Sequence, residues 1–329
     1  MNRVIHCLIA MGITGCGEDE SSASDQDQSQ ECDVVVEGTW PSDGSTEAYY
    51  RDSVEFYLSD ADRYAKVIAD FSGVQSFEDD GRTVVYEPDE PLSPSTDYSV
   101  ALDYCFGQPS IEFATSSLGL PLSDPESLVG ATFLLDPTDG RFTDEGRVGE
   151  VLAGLYGRSL LVQFIDYDEG IVDVRLAVAE QHPGNPTQDE CYRTLDLNSV
   201  RFANDADFLY EEEQVEFAFY GATMSFFDVE TGGTVAPDVQ SLGGARFHAL
   251  VEIDSLALSL GFESREDICN LAEQLGQSCV ECPSDSGTLC LDIAADRLKA
   301  SRVDLDLALV QERNDLPECN EGDTGDPSL

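Results

Sequence analysis

Residues 160–178 have the sequence LLVQFIDYDEGIVDVRLAV, in which two apolar runs flank an acidic turn that ends in glycine. Each run has the length of a strand and is rich in β-branched and aromatic residues. The pattern therefore predicts β-strands at 160–165 and 171–178. Because similar runs recur along most of the chain, we expect a mainly β protein.

Further runs of this kind lie on both sides of that stretch. They occupy 54–58, 83–86, 98–102, 111–115, 130–135, 215–220, 224–229, 246–254 and 302–310. In the last run Val303, Leu305, Leu307 and Leu309 alternate with mostly polar residues. This alternation predicts a half-buried antiparallel strand.

Two segments have helical periodicity instead. Residues 145–156 and residues 264–276 each repeat apolar side chains every three or four positions. The second segment is framed by the capping pair Ser264 and Asp267 and by Gly276 as its stop. We therefore expect two short helices.

The chain is strongly acidic. Among its 329 residues, 66 Asp and Glu face 17 Lys and Arg, which gives a formal net charge of −49 at pH 7. Such a charge repels phosphate backbones and anionic lipid headgroups. Nucleic acid is therefore excluded as an expected partner, and so is membrane attachment through a basic patch.

The N-terminus has the order of features found in an export signal. Arg3 supplies a positive start, and an apolar run of ten residues follows at 4–13. The sequence Ile13-Thr14-Gly15-Cys16 then resembles the lipobox of bacterial lipoproteins. That resemblance implies a signal peptide at 1–15, acylation of Cys16, and a cell-envelope location in which the membrane is the first partner.

The segment that follows Cys16 supports a lipid anchor. Residues 16–31 contain no large apolar side chain and many acids, amides and serines, so we expect a disordered tether. Gly17 stands where an aspartate would imply inner-membrane retention, so the resemblance implies the outer membrane. The tail at 320–329 is also expected to be disordered.

The remaining cysteines indicate an oxidising compartment. Without Cys7 and the acylated Cys16, an even number is left: Cys32, Cys105, Cys191, Cys269, Cys279, Cys282, Cys290 and Cys319. We expect four disulfides, in which Cys32 pairs with Cys105, Cys191 pairs with Cys319, and the middle four pair among themselves. A four-thiolate zinc site in that middle cluster is the alternative.

The first folded region, 32–117, contains four motifs in a fixed order: WPSDG at 40–44, VYEP at 85–88, PLSPSTDY at 91–98 and FAT at 113–115. With these motifs the region resembles a bacterial Ig-like domain of the surface-layer (SbsA) type. The resemblance implies an Ig-like β-sandwich that holds, spaces or binds. A polar stretch at 59–63 hides the strand that this pattern places between Leu58 and Gly81.

The second region, 118–319, is expected to be a disulfide-stapled antiparallel β domain, either a sandwich or a barrel. It resembles uncharacterised lipoprotein domains of myxobacteria-like organisms, and this resemblance implies no activity. We expect the two short helices to interrupt its strands.

The sequence offers few groups for catalysis. Beyond the signal peptide the histidines are His182, in a turn, and His248, opposite the core face of its strand. No nucleophile elbow, zinc-binding helix motif or phosphate-binding loop is present. Paired carboxylates remain an alternative, but the abundance of acids singles out no pair.

Calcium is the expected metal, if one binds. Asp166 and Asp168 lie in one acidic turn and Asp136 and Asp139 in another, and each turn resembles half of a calcium loop. Neither turn has the spacing of an EF-hand. Solvated turns are the alternative interpretation.

These observations favour a non-catalytic cell-envelope lipoprotein that binds or scaffolds an extracytoplasmic protein, glycan or small ligand. One alternative is a carrier whose second region closes as a barrel around a small apolar ligand, lined by residues such as Phe217, Phe219 and Phe226. Another is an extracytoplasmic hydrolase with paired carboxylates.

One measurement, the intact mass of native protein extracted in detergent, tests both the predicted acylation of Cys16 and the predicted disulfides. We expect a chain that starts at acylated Cys16 and shows eight labelled thiols only after reduction. An unprocessed chain, or free thiols that hold zinc, would contradict both predictions.

Overall fold

The computed structural model describes residues 33–105, 107–180, 186–219, 222–262, 264–283 and 287–311. The predicted signal peptide, the anchor Cys16, the tether, the C-terminal tail, Cys32, Cys319 and His182 lie outside these residues. The described chain is mainly β, as predicted. From Val34 onward it forms one compact unit.

The N-terminal part is a β-sandwich. Its strands are β1 Val36–Trp40, β2 Val54–Leu58, β3 Lys66–Ala69, β4 Gly73–Glu78, β5 Thr83–Pro88, β6 Asp97–Asp103 and β7 Ser110–Ala114. One sheet has the antiparallel order β1-β2-β5-β4 and the other the order β3-β6-β7. Phe56, Val84, Val100 and Leu102 are fully buried between them. The alternating strands thus place one apolar face of each sheet in a shared core.

The strands β1, β3 and β4 were not among the predicted runs. Strands β3 and β4 lie just beyond the polar stretch at 59–63, and both form sheet edges. Their large residues Ile68, Val74 and Phe77 are exposed. An edge strand buries little of its surface, so it lacks the apolar signal that sequence periodicity detects.

The second part begins with the 3₁₀ turn Pro125–Leu128 and continues through strands β8 to β18. These are β8 Thr132–Leu135, β9 Arg141–Phe142, β10 Leu160–Asp168, β11 Ile171–Glu180, β12 Thr187–Gln188, β13 Leu195–Phe202, β14 Asp207–Phe219, β15 Ala222–Val235, β16 Ser241–Glu252, β17 Val280–Glu281 and β18 Leu289–Val303. All their pairings are antiparallel.

Eight of these strands close into a barrel, one of the two architectures that the sequence allows. The order around the barrel is β10-β8-β18-β16-β15-β14-β13-β11, and β11 pairs back onto β10. The short strands β9 and β17 pair with β18, and β12 pairs with β11. Closure shields the inner face of the barrel from water. Polar side chains on this face would lack hydrogen-bond partners, so apolar side chains are favoured there.

The helices lie at one end of the barrel. They are α1 Val148–Tyr156, α2 Ile253–Leu260 and α3 Arg265–Leu275, with 3₁₀ turns at Pro137–Asp139 and Glu145–Arg147 before α1. Helices α1 and α3 confirm the two predictions, and the Ser264–Asp267 capping box is present. No helix in the described ranges is long and apolar enough to cross a membrane.

Helix α2 corrects the strand predicted at 246–254. Strand β16 ends at Glu252, whose carboxylate accepts hydrogen bonds from the backbone N–H groups of Asp254 and Ser255 at 3.1 and 3.2 Å. This side-chain cap begins a helix at Ile253 that Gly261 ends in the left-handed region. The structure therefore has three α-helices in its described part, where the sequence predicted two.

The strand predicted at 302–310 is wrong beyond Val303. Residues 304–310 join no sheet, and barrel side chains such as those of Thr132, Gln188 and Thr194 bond to their backbone instead. The Gln188 amide donates to the Ala308 carbonyl at 2.9 Å and accepts from the Ala308 N–H at 2.8 Å. Leu307 is buried against Leu161 on the outer face of the barrel, whereas Leu309 is exposed.

The opposite end of the barrel is closed by a packed core. Phe133, Phe164 and Phe208 meet there edge to face, with ring centroids 6.0 and 5.4 Å apart. Leu128 from the connecting 3₁₀ turn is fully buried in the same cluster. This end therefore acts as the floor of the barrel interior.

The sandwich and the barrel are joined through a buried carboxylate on β2. Glu55 is 2% exposed and accepts hydrogen bonds from Arg141 at 2.6 Å and from Arg297 at 2.5 Å. Tyr57 also donates to it at 2.6 Å, and the Arg297 guanidinium lies 4.3 Å from the centre of the Trp40 ring. We call Glu55, Arg141, Arg297 and Trp40 the joint.

The joint lowers the pKa of Glu55. Burial alone would raise the pKa of Glu55, but the Tyr57 hydrogen bond and the two arginines outweigh it and hold that pKa below its ordinary value. A second contact lies nearby, where Tyr50 and Arg51 both donate to Asp205, at 2.8 and 2.6 Å. The two parts are therefore fixed to each other by paired polar groups.

Replacing Glu55 removes the shared partner of both arginines. We expect Glu55→Gln to lower the free energy of unfolding by roughly 2 kcal/mol, because the buried Arg297 and the half-buried Arg141 each lose one of their two acidic partners and keep only Asp52 and Asp296. Urea denaturation followed by circular dichroism measures this change, and fluorescence of Trp40, the single tryptophan, reports the joint itself.

The matched control is Glu211→Gln, which removes an exposed carboxylate paired with Arg201. It should change stability by no more than about 0.5 kcal/mol. The Glu55 effect should be complete above the ordinary glutamate pKa of 4.5 and fade as the pH falls through the lowered folded-state pKa. Equal stability of the two variants at neutral pH would contradict the prediction.

Candidate functional site

The barrel encloses an apolar cavity of ≈ 340 Å³. It lies between the packed floor and the helices at the other end. Its wall is formed by alternate residues of the strands, such as Val162 on β10, Val174 on β11 and Leu197 on β13. The wall is almost entirely aliphatic and aromatic.

The wall follows from the period of the strands. On β10 and β11, Val162 and Val174 point inward, while their neighbours Leu161 and Ala177 belong to the outer cluster under Leu307. Successive side chains of a strand face opposite sides of the sheet. Both faces of this part of the barrel are apolar, so sequence alone could not assign the inner one.

Helices α1 and α2 cover one end of the cavity. Leu152 and Tyr156 of α1 and Leu256 and Leu260 of α2 all contribute to the lining. These residues recur at a spacing of four, which puts them on one face of each helix. The helices therefore close the cavity with the same faces that attach them to the barrel.

Helix α1 starts on a buried carboxylate. Asp144 accepts a hydrogen bond from the Gly149 N–H at 2.9 Å, and its other oxygen has no partner in the described structure. Burial raises the pKa of Asp144. A side chain at Gly149 would meet this carboxylate and the Phe142 ring within 3 Å, so glycine is required for the close approach.

One side of the cavity is aromatic. Phe217 and Phe226 both line it, as expected for a barrel pocket, and Phe226 packs edge to face against Phe247 with ring centroids 6.3 Å apart. The side chain of Phe219, which was named with them, lies outside the described part of the structure.

Few polar groups reach the lining. Tyr156, Tyr210 and Thr231 contribute hydroxyls, and the Thr231 hydroxyl donates to the Arg246 carbonyl at 3.0 Å. The Arg246 guanidinium lies on the outer face, 3.4 Å from a Glu230 oxygen and 3.7 Å from an Asp207 oxygen. Burial raises the pKa of Tyr210, so its hydroxyl is neutral at physiological pH.

The predicted calcium residues are not brought together. Leu135 pairs with Leu160 at the first residue of β10, so Asp136 lies near that end of the strand. Asp166 is six residues further along, which is roughly 20 Å at about 3.3 Å per residue. No group of three or more His, Cys, Asp or Glu residues within the described ranges has the geometry to hold a metal.

The two acidic turns have hydrogen bonds of their own. The Asp136 carboxylate accepts from the backbone N–H and the hydroxyl of Thr138, at 2.9 and 2.7 Å. Asp139 ends the same 3₁₀ turn, and Asp166 and Asp168 lie near the β10–β11 turn. These contacts are typical of solvated turns.

The cysteine cluster pairs within itself. Cys269 on α3 bonds to Cys279, and Cys282 bonds to Cys290 at the start of β18. These four sulfurs are therefore not available as zinc thiolates. Cys105 and Cys191 are also disulfide-bonded, and their predicted partners Cys32 and Cys319 lie outside the described residues.

His248 lies on the outer face of β16, as predicted. Its imidazole is about half exposed and contacts the Asp292 carboxylate at 3.0 Å. It is not part of the cavity lining. The interaction is a surface contact between neighbouring strands.

The carboxylates Asp52, Asp205 and Asp207 have shifted pKa values but lie outside the cavity lining. Burial raises the pKa of Asp52 and Asp207, while hydrogen bonds outweigh burial and lower that of Asp205. Asp52 and Asp205 belong to contacts between sandwich and barrel, whereas Asp207 lies beside Arg246 and accepts from the Thr234 hydroxyl within the barrel. None of the three lines the cavity.

No sequence pattern indicated that α2 lines the cavity or that Arg246 pairs with two acids on the outer face of the barrel. Leu256 and Leu260 do have helical spacing, but the apolar run of β16 continues into α2 and conceals the boundary. Arg246 carries no such signal, because its partners come from two other strands.

Helix α1 provides a test of the cavity wall. Leu152 is 7% exposed and lines the cavity, whereas Leu155 on the same helix is 56% exposed. We expect Leu152→Ala to lower the free energy of unfolding by about 2 kcal/mol, near the low end for buried leucines because the site already borders a cavity. In urea denaturation, Leu155→Ala should stay within about 0.5 kcal/mol of the parent protein, and equal effects would contradict the assignment.

Comparison with known proteins gives little guidance. No protein-family model and no curated protein matches this chain. Among solved structures the chain is similar to an L,D-transpeptidase from Mycobacterium smegmatis, with 15% identity and a TM-score of 0.23 over 48% of this chain and 80% of that one. A TM-score of this size supports no conclusion about fold or activity.

Proposed function

We propose that this protein is a cell-envelope lipoprotein whose barrel binds a small apolar ligand. The observation that carries the proposal is the ≈ 340 Å³ apolar cavity inside the closed barrel. Its volume falls within the range of about 300–1,000 Å³ that small-molecule pockets occupy. A cavity lined by hydrocarbon gains little from water and much from an apolar guest.

The wall is suited to a ligand that is held by contact rather than by directed bonds. Its aliphatic and aromatic side chains come from every strand of the barrel and from two helices. Burial of apolar ligand surface contributes roughly 25 cal/mol per Å², so affinity would grow with the surface that the ligand removes from water.

The N-terminal motif supports the place of action. A lipid-anchored Cys16 and an acidic tether would hold the protein at the envelope, with the outer membrane as the proposed site. The sandwich, fixed to the barrel by the joint, would then act as a rigid spacer or as a contact surface for an extracytoplasmic partner. This arrangement keeps the binding and scaffolding roles within one envelope protein.

The hydrolase alternative receives less support from this cavity. Glycoside hydrolysis uses two carboxylates beside the scissile bond. In the described lining no carboxylate occurs. The proposal is therefore a binding function.

Fluorescence of N-phenyl-1-naphthylamine (NPN), an uncharged dye that brightens in apolar surroundings, tests the binding site. We expect a saturable increase with the parent protein. Ala295→Phe puts a ring into the cavity from β18, where Ala295 is 5% exposed and lines the wall. Affinity for NPN should fall about tenfold or more, because the ring takes space that the dye needs.

Ala294→Phe is the matched control, since the neighbouring residue faces the other side of the same strand. Circular dichroism and thermal unfolding confirm that both variants fold. The proposal fails if the parent protein shows no saturable binding, or if both variants lose it equally.

A further inference from the structure

The scarcity of charged groups in the cavity wall restricts which ligands the cavity can bind. Among the described lining residues, Arg246 is the only one of a charged type, and its side chain lies with Glu230 on the outer face of the barrel, so that its backbone carbonyl borders the cavity. The other polar side chains, those of Tyr156, Tyr210 and Thr231, are neutral hydroxyls. A buried ion would have to find its counter-charge in this short set.

Arg246 is already engaged with acids. Its Nε lies 3.4 Å from a Glu230 oxygen and its Nη1 lies 3.7 Å from an Asp207 oxygen. These contacts hold the Arg246 guanidinium outside the cavity. An incoming carboxylate would therefore find no cation within the described lining.

The rest of the molecule has the same bias. The chain carries a formal net charge of −49, and the glutamates of β14 at 211–213 are exposed on the barrel. A field of this sign lowers the local concentration of anions and raises that of cations. A cation, however, would find no carboxylate within the described lining.

From this inventory, and resting on the proposed apolar site, we infer that the barrel selects uncharged ligands and rejects carboxylates of the same length. The ligand class is a neutral apolar molecule, such as a long-chain alcohol or ester, rather than a fatty acid anion. The cost of desolvating an ion that gains no partner is the physical basis of the selection.

Displacement of NPN by three ligands with the same ten-carbon chain tests this inference. At neutral pH, 1-decanol is uncharged, decanoate is an anion and decylammonium is a cation. We expect decanol to displace the dye at concentrations about 100-fold lower than decanoate, because an unpaired buried ion costs several kcal/mol. Decylammonium should also bind more weakly than decanol.

The outcomes separate the inference from the function on which it rests. If decanoate or decylammonium competes as well as decanol, the selection for uncharged ligands is wrong while the apolar site stands. If NPN itself does not bind, the proposed function fails and takes the inference with it.

Discussion

Strand β10 hydrogen-bonds to β8 along one edge and to β11 along the other, and these two pairings turn eight strands into a closed ring. A barrel of this size has an interior just wide enough for side chains or for one small ligand. The hairpin at 160–178 supplies both closing edges, so the cavity exists because this stretch pairs on both sides. Without closure, the apolar inner face would be open to water along an exposed strand edge.

Strand β18 connects the cavity with the sandwich. Ala295 and Leu298 line the cavity, while the two residues between them, Asp296 and Arg297, reach outward to the joint. This is possible because Arg297 adopts a φ of 57° and shifts the register of the strand. A bulge re-aims side chains in this way. The attachment of the sandwich and the wall of the cavity therefore share one local distortion.

The charges are distributed according to burial. Most of the acidic side chains are solvated. Three of the few arginines, Arg51, Arg141 and Arg297, form ion pairs between sandwich and barrel. A fourth, Arg175, pairs with Asp196 on the outside of the barrel. The interior keeps almost no charge. An acidic surface around a neutral cavity gives solubility and ligand selection through separate residues.

The sequence by itself determined the mainly β class, the positions of α1 and α3 and the internal pairing of the middle cysteines. These features depend on local periodicity, caps and short spacings, which are properties of neighbouring residues. The barrel closure, the boundary between β16 and α2, the detachment of 304–310 from the sheet and the joint at Glu55 were decided by tertiary structure. Each depends on partners far apart in the chain, such as Gln188 with Ala308 or Glu55 with Arg297, and no local pattern specifies which distant residue will be the partner.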